Sequence, residues 1–183
     1  MNETPSIIII SGERDTGKTS FVETLYQGLN GMSCQVAGIC EIKTDDLNGY
    51  FIKNLSDGQK FKWAEKISGK CKEIPYKFYS ENVEKISELL KNSINDSPGE
   101  FILIFDEFGR LELRGEGLLP VFSRFILNAK VSVVVVQKVI LKEFIFRYSS
   151  CFGEIINIEL TTEDIKRPDD KLREIHAAIG VSE

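Results

Sequence analysis

The sequence is poor in the residues from which proteins build metal centres and disulfide networks. It has a single histidine, His176, and its four cysteines, Cys34, Cys40, Cys71 and Cys151, form no C-x-x-C pair. This set offers little for a zinc site, and scattered cysteines are typical of reduced, mostly buried thiols. We therefore expect a cytoplasmic protein without structural zinc.

Long apolar runs and an excess of basic residues are also missing. The longest apolar stretches have only the length of strands, and residues 1–6 lack the basic start and apolar core of a signal peptide. The net charge is −5, and no basic stripe offsets it. These absences predict a protein that is not secreted, does not span a membrane and does not bind nucleic acid.

The sequence does contain a phosphate-binding motif of the Walker A type near its start. Residues 12–19 read G-E-R-D-T-G-K-T, which fits the pattern G-x-x-x-x-G-K-[ST]. In such a loop the glycines let backbone N–H groups turn onto phosphate oxygens, Lys18 reaches the β- and γ-phosphates, and the Thr19 hydroxyl is a ligand of Mg²⁺. The predicted nucleotide-binding residues are Gly12, Glu13, Arg14, Asp15, Thr16, Gly17, Lys18, Thr19 and Ser20.

The context of this motif fits a nucleotide site. A β-branched apolar run at 6–11 precedes it, and apolar residues at helical spacing follow it. Strand, glycine-rich loop and helix are the setting that phosphate binding requires, because the N-terminus of the helix adds free N–H groups and a positive dipole end.

The rest of the chain alternates between strand and helix patterns, which predicts one α/β domain over residues 1–183 with a mostly parallel sheet and helices on both faces. Ligands of such sheets bind at the carboxyl ends of the strands. Further strands are predicted at 35–42, 101–105, 131–136 and 155–160, and helices at 81–94, 117–129, 141–148 and 170–179.

Residues 40–78 interrupt this alternation. Asn48-Gly49 is a strong hairpin signal between two apolar runs, and Ser56-Asp57-Gly58 marks another turn. We expect a small antiparallel β insertion here that projects from the sheet. Its aromatic residues Tyr50, Phe51 and Trp63 fit two interpretations equally well: they stack on a base, or they fill the core of the insertion.

Two acidic residues end the apolar strand 101–105. Asp106 occupies the place expected of the carboxylate that holds Mg²⁺ in nucleotidases with this loop. Glu107 follows it, and a carboxylate beside the γ-phosphate can orient or deprotonate a water for in-line attack. The predicted catalytic residues are therefore Lys18 and Glu107, and the predicted metal ligands are Thr19 and Asp106.

Residues 106–113 read D-E-F-G-R-L-E-L, and the chain here resembles the small nucleoside-triphosphatases related to a thermophilic NTP phosphatase and a human cancer-related NTPase. That family combines the early phosphate loop, a Gly-containing β insertion, here Gly38 with Asn48-Gly49-Tyr50, and a strand ending D-E-x-G-x-x-E-L. The resemblance spans nearly the whole chain. It implies a three-layer P-loop NTPase fold and Mg²⁺-dependent hydrolysis of ATP, GTP and other NTPs to NDP.

The chain also departs from the family pattern. An acidic–apolar–Arg stretch and a later Arg are usual in the second segment, where Ile42-Lys43 and Asn48 stand here. An Asn-Arg pair usually follows the last strand, and Lys166 and Arg167 are its candidate substitutes here. The resemblance therefore assigns no role of the family's arginines to residues of this chain.

Several other polar residues near the site have two interpretations each. Glu112 either holds a loop by hydrogen bonding to the phosphate-loop side or is a surface acid. Arg110 and Arg114 either stabilise γ-phosphate charge or form surface ion pairs. Gln137, with Lys138 as its competitor, either senses the γ-phosphate or simply ends a strand.

The leading hypothesis is an Mg²⁺-dependent nucleoside-triphosphate phosphohydrolase, for which the resemblance implies a broad base preference. The sequence contains no N-K-x-D stretch or other base-reading motif. The first alternative is a small-molecule or nucleotide kinase that uses the same loop, with residues 40–78 covering an acceptor. The second is a non-enzymatic NTP-binding regulatory module.

Overall fold

An eight-stranded sheet runs through the protein, whose computed structural model describes residues 4–32, 34–67, 76–94 and 100–181. Several predictions lie outside the described residues: those for the start of the chain at 1–3, for residues 68–75 of the insertion with Cys71, and for the break at 95–99. The strands are β1 (Ser6–Gly12), β2 (Gln35–Lys43), β3 (Gly49–Asn54), β4 (Lys60–Lys66), β5 (Tyr76–Phe78), β6 (Phe101–Phe108), β7 (Val131–Val136) and β8 (Glu154–Leu160). The helices are α1 (Lys18–Asn30), α2 (Val83–Asn92), α3 (Arg110–Leu113), α4 (Leu119–Phe125), α5 (Leu141–Tyr148), α6 (Thr162–Lys166) and α7 (Asp169–Ile179).

The strand order is β5-β4-β3-β2-β6-β7-β1-β8. The pairs β2–β6, β6–β7, β7–β1 and β1–β8 are parallel, whereas β2–β3, β3–β4 and β4–β5 are antiparallel. The predicted α/β class and antiparallel insertion are therefore confirmed. The insertion does not form a separate sheet, because β3 is hydrogen-bonded to β2 and extends the main sheet at one edge.

Two apolar layers cover the faces of the sheet. One contains Ile8, Ile10, Phe21, Leu25 and Ile175, so α1 and α7 pack on this face. The opposite layer is built with α2, α4 and α5 and includes Ile86, Leu90, Val121, Phe122 and Phe144. Three layers result, and the continuous apolar character of β1, β6 and β7 follows from burial on both faces.

Strand β6 has a register shift at the residues predicted to form the site. Asp106 pairs with Val135, but Phe108 pairs with Val136, so Glu107 is an extra residue in this strand. Such a bulge reverses the side-chain alternation. As a result Ile104 faces the α1 layer, whereas Phe108 packs in the opposite layer.

The helix predicted at 117–129 is shorter than expected. Gly115 and Gly117 have positive φ values of 88° and 65°, which a continuing right-handed helix cannot contain. The helix α4 therefore begins only at Leu119, with Pro120 in its first turn. The short helix α3, directly after β6, was not predicted, and neither was α6.

Gly38 is expected to be essential for the packing of β2 against β6. A Cβ at this position would lie 2.8 Å from Ile104 Cβ and 2.9 Å from the Ile104 carbonyl oxygen. We predict that Gly38→Ala lowers the free energy of unfolding by roughly 1–3 kcal/mol, the usual cost of overpacking. Urea unfolding measures this change. Gly31→Ala is the matched control, since a Cβ at Gly31 meets only the Gly28 carbonyl oxygen at 3.6 Å; an equal loss in both variants would contradict the prediction.

Candidate nucleotide-binding site

The predicted phosphate loop joins β1 to α1. Glycine is required at its two glycine positions for different structural reasons. Gly17 has a φ of 94° and precedes the first residue of α1. At Gly12 a Cβ would lie 2.6 Å from the carbonyl oxygen of Leu160 on β8. The first position of the motif is thus fixed by close approach to the neighbouring strand, and the second by a left-handed backbone conformation.

Lys18 and Thr16 fold back onto the loop itself. The Lys18 ammonium donates hydrogen bonds to the carbonyl oxygens of Glu13 at 2.6 Å and Gly12 at 3.3 Å, and the Thr16 hydroxyl donates to the Glu13 carbonyl oxygen at 2.9 Å. The loop borders a cleft of about 810 Å³, and all of the predicted nucleotide-binding residues except Thr16 line it. The structure therefore brings this predicted set together at the carboxyl ends of the parallel strands.

Two lysines from outside the loop reach its acidic side chains. The Lys138 ammonium lies 2.8 Å from a Glu13 carboxylate oxygen and 2.7 Å from one of Glu159, and the Lys43 ammonium lies 3.1 Å from one of Asp15. The hydrogen bond from Lys138 lowers the pKa of Glu13. Exposed pairs of this kind stabilise the fold little. Their importance is positional, since they hold the positively charged ammonium groups of Lys43 and Lys138 on the wall of the cleft.

Asp106 is fully buried beneath the loop. Within the part of the chain that the structure describes, neither of its carboxylate oxygens has a hydrogen-bond partner. Burial raises the pKa of Asp106 to about 7 and the charge of Glu107 adds to this rise, while the proximity of the Thr19 hydroxyl and the positive charge of Lys18 oppose it. A buried carboxylate without partners fits the predicted role of a cation ligand, because a divalent cation supplies the missing compensation.

Glu107, the next residue, faces the cleft. In the described ranges its carboxylate forms no ion pair and no hydrogen bond with another side chain or backbone group. It is only partly buried, in contrast to Asp106. The bulge in β6 thus separates two adjacent acids, one held under the loop and one exposed to the space in front of it.

Glu41 is a third carboxylate at this site, and our sequence analysis missed it. Ile39 of β2 pairs with Phe105 of β6, so Glu41 comes to lie beside Glu107 at the carboxyl ends of these parallel strands. Burial, with added repulsion from Glu107 and Asp106, raises the pKa of Glu41 to about 8. The available signal was its place at the end of a predicted strand, directly before Ile42-Lys43.

Glu112 holds the segment after β6. Its carboxylate accepts hydrogen bonds from the backbone N–H groups of Gly109 at 2.8 Å and Leu118 at 2.9 Å, and the side chain is 5% exposed. Of its two interpretations, loop holding is correct and a surface acid is wrong. The partners lie in its own segment, however, and not on the phosphate-loop side.

The remaining candidates fall into two groups. Arg110 and Gln137 line the cleft, and Arg110 forms no ion pair with any residue of the described ranges. Lys166 and Arg167 lie 3.6 and 4.0 Å from Glu163 carboxylate oxygens and are not among the residues that line the cleft. The structure therefore brings Arg110 and Gln137, but not the residues after β8, to the site.

In the described ranges no helix has the length and apolar character needed to cross a membrane. Nor do the residues described in the structure include a group of three or more His, Cys, Asp and Glu side chains arranged to hold a metal ion. A cation at Asp106 would therefore depend on Thr19, water and phosphate oxygens for its other ligands, which is the usual coordination of Mg²⁺.

The chain is similar to known proteins over most of its length. The profile of a family described as NTPase matches residues 7–168. Among solved structures, THEP1 from the hyperthermophile Aquifex aeolicus has a TM-score of 0.69 at 20% identity, over 94% of this chain and 98% of its own. A human cancer-related nucleoside triphosphatase has a TM-score of 0.69 at 17% identity, over 95% and 97%. None of the curated proteins compared with this chain matches it.

We predict that the stability gained by Glu41→Gln depends on pH. The pKa of about 8 in the folded protein exceeds the ordinary value of 4.5, so folding favours the neutral acid and the wild-type protein loses stability as pH rises from about 4.5 to 8. Glutamine cannot ionise, so Glu41→Gln should gain on the order of 1–3 kcal/mol at pH 8 relative to its effect at pH 5. Urea unfolding of the nucleotide-free protein at both pH values measures this gain.

Glu88→Gln, on the exposed side of α2, is the matched control and should show no such pH dependence. An equal effect of Glu41→Gln at pH 5 and pH 8 would mean that Glu41 ionises freely in the folded protein.

Proposed function

The chain belongs to the NTPase family, and on that premise we propose that it is an Mg²⁺-dependent phosphohydrolase that converts nucleoside triphosphates to NDP and phosphate with broad base preference. The observation that carries this proposal is the position of Glu107. Its carboxylate faces the phosphate cleft, directly after the buried Asp106. Binding alone does not require a free carboxylate there, whereas hydrolysis requires a group that accepts a proton from water.

The phosphate loop and Lys18 would bind the triphosphate. Lys18 now donates to the Gly12 and Glu13 carbonyl oxygens, and it would exchange these neutral acceptors for charged phosphate oxygens, which form stronger hydrogen bonds. Asp106 and Thr19 would hold Mg²⁺, which neutralises charge on the phosphates when it is bound. Lys43 and Lys138, which already line the cleft, add positive charge at its wall.

Glu107 would position the attacking water on the γ-phosphate side of the cleft. In the reaction the water oxygen forms a bond to the γ-phosphorus, and the bond between this phosphorus and the bridging oxygen of the β-phosphate breaks. The water proton passes to the Glu107 carboxylate, and the electron pair of the broken bond leaves with NDP. Glu112 keeps the segment after Glu107 in place through its bonds to Gly109 and Leu118.

The residues that line the cleft support the proposed broad base preference. The residues that line the cleft concentrate on the phosphate loop and on the strand ends beside it. The sequence contains no N-K-x-D stretch, the element that reads guanine in GTPase switches. Phosphate recognition is common to all nucleoside triphosphates, so it does not discriminate between bases.

We predict that phosphate release is comparable for ATP, GTP, CTP and UTP, within about tenfold in kcat/KM, and is lost when Mg²⁺ is removed. A malachite-green assay on the four triphosphates, with Mg²⁺ or with excess EDTA, measures both properties. Strong preference for one base would contradict the broad specificity, and full activity in EDTA would contradict the assignment of Asp106 and Thr19 as metal ligands.

We further predict that Glu107→Gln separates catalysis from binding. Glutamine keeps the size of the side chain but not its basicity, so kcat should fall about a hundredfold or more. The affinity for ATP should stay unchanged or increase, because a negative charge near the γ-phosphate has been removed. Calorimetry and the phosphate assay on the same preparation give the two quantities.

Glu88→Gln makes the same chemical change on α2, outside the cleft, and should leave both quantities at their wild-type values. If Glu107→Gln also retains wild-type kcat, its carboxylate is not the proton acceptor and the hydrolase proposal loses its main support.

A further inference from the structure

A second cavity opens from the phosphate cleft on the far side of Glu107. Its volume is about 260 Å³. The cleft and this cavity share five lining residues and meet there: Glu41, Tyr50, Glu107, Arg110 and Gln137. A molecule in the cavity would therefore lie beside Glu107, the proposed proton acceptor.

The aromatic walls of the cavity come from the antiparallel edge of the sheet, and of these side chains only Tyr50 also lines the cleft. The rings of Tyr50 on β3 and Tyr76 on β5 have centroids 5.5 Å apart, and those of Trp63 on β4 and Phe78 on β5 are 5.6 Å apart. All four residues line the cavity. The aromatic side chains of the insertion thus surround a space that opens onto the site, in addition to packing against one another.

The size of the cavity exceeds what hydrolysis requires. One water needs roughly 10–15 Å³ of such space, so 260 Å³ holds many more than the single water that attacks the phosphate. A space lined by aromatic side chains at one end and by polar groups at the other is the usual form of a small-molecule site.

The lining also indicates the chemistry of the ligand. Flat aromatic walls favour a planar ring system, since stacking on aromatic side chains tolerates any ring with a π-face. At the mouth the two acids Glu41 and Glu107 outnumber Arg110, the one basic residue among the described lining residues, and so disfavour an anionic ligand. A hydroxyl group suits the mouth because it can donate a hydrogen bond to a carboxylate.

We propose that this cavity binds an uncharged molecule with a planar ring system and a hydroxyl group, of the class that includes nucleosides, and that this hydroxyl accepts the γ-phosphoryl group. The protein then transfers phosphate as well as hydrolysing it, and water reacts when the cavity holds no acceptor. This proposal rests on the proposed function, because it uses the same bound triphosphate and the same proton acceptor.

The transfer step is balanced without a further reactant. The hydroxyl oxygen of the acceptor forms a bond to the γ-phosphorus while the bond to the bridging oxygen of the β-phosphate breaks. The hydroxyl proton passes to the Glu107 carboxylate, and NDP leaves with the electron pair of the broken bond. The products are NDP and the phosphate monoester of the acceptor.

The ratio of NDP to free phosphate tests this step. With ATP alone, hydrolysis releases the two in equal amounts. With adenosine, guanosine, cytidine or uridine added at millimolar concentration, the proposal expects at least one of them to raise NDP over free phosphate about twofold or more, with a nucleoside monophosphate as the missing product. Trp63 is the single tryptophan of the chain, so its fluorescence reports occupation of the cavity directly.

Two variants test whether the response to nucleoside arises in the cavity or elsewhere in the protein. Tyr76→Leu removes one aromatic wall and should weaken the response to the active nucleoside about fivefold or more. Phe146→Ser removes an aromatic ring that is 86% exposed on α5, and its response should equal that of the wild type. Thermal melting of both variants shows whether they are folded.

Equal release of NDP and phosphate with all four nucleosides overturns the proposal, whether or not Trp63 fluorescence changes. A raised ratio that Tyr76→Leu leaves unaltered overturns the assignment to this cavity. Failure of the proposed function has a different signature, because the protein would then release no phosphate from ATP in the absence of a nucleoside.

Discussion

The burial of carboxylates at the carboxyl ends of β2 and β6 is the constraint around which this site is arranged. Asp106 is fully buried and has no hydrogen-bond partner among the described residues, and burial raises the pKa values of both Asp106 and Glu41. Placing unpaired acids together in a folded protein costs stability. In the proposed function a bound cation with its phosphates would offset this cost, so the arrangement would favour the occupied site over the empty one.

The bulge in β6 allows one short segment to serve the core and the site at once. It returns Phe108 to the apolar layer, where the ring packs against Phe122 and Phe144 with centroids 4.8 Å away in each case. Glu107 is left facing the cleft, and Glu112 closes the following turn through Gly109 and Leu118. The proposed proton acceptor is thus held between a packed aromatic residue and a buried hydrogen-bonded turn, which limits its movement.

The antiparallel edge gives this fold its second space. Because β3, β4 and β5 continue the sheet beyond β2, their aromatic side chains lie next to the strand ends that carry Glu41 and Glu107. Hydrolysis at the phosphate loop and transfer to a hydroxyl in the cavity would use the same carboxylate. Which reaction occurs would depend on whether water or an acceptor occupies the space beside it.

The sequence by itself determined the phosphate loop, the α/β class, the bounds of β7 and α5, and the acidic pair at the end of β6. Each of these features depends only on adjacent residues or on a local periodicity. It also predicted the antiparallel insertion from its turn signals. Only the tertiary structure placed Glu41 beside Glu107 and formed the aromatic cavity. These features join residues more than sixty positions apart, and they depend on strand order and register, which no local pattern encodes. The late start of the helix predicted at 117–129 was likewise decided by the left-handed backbone at Gly117 and by its close approach to the buried Glu112.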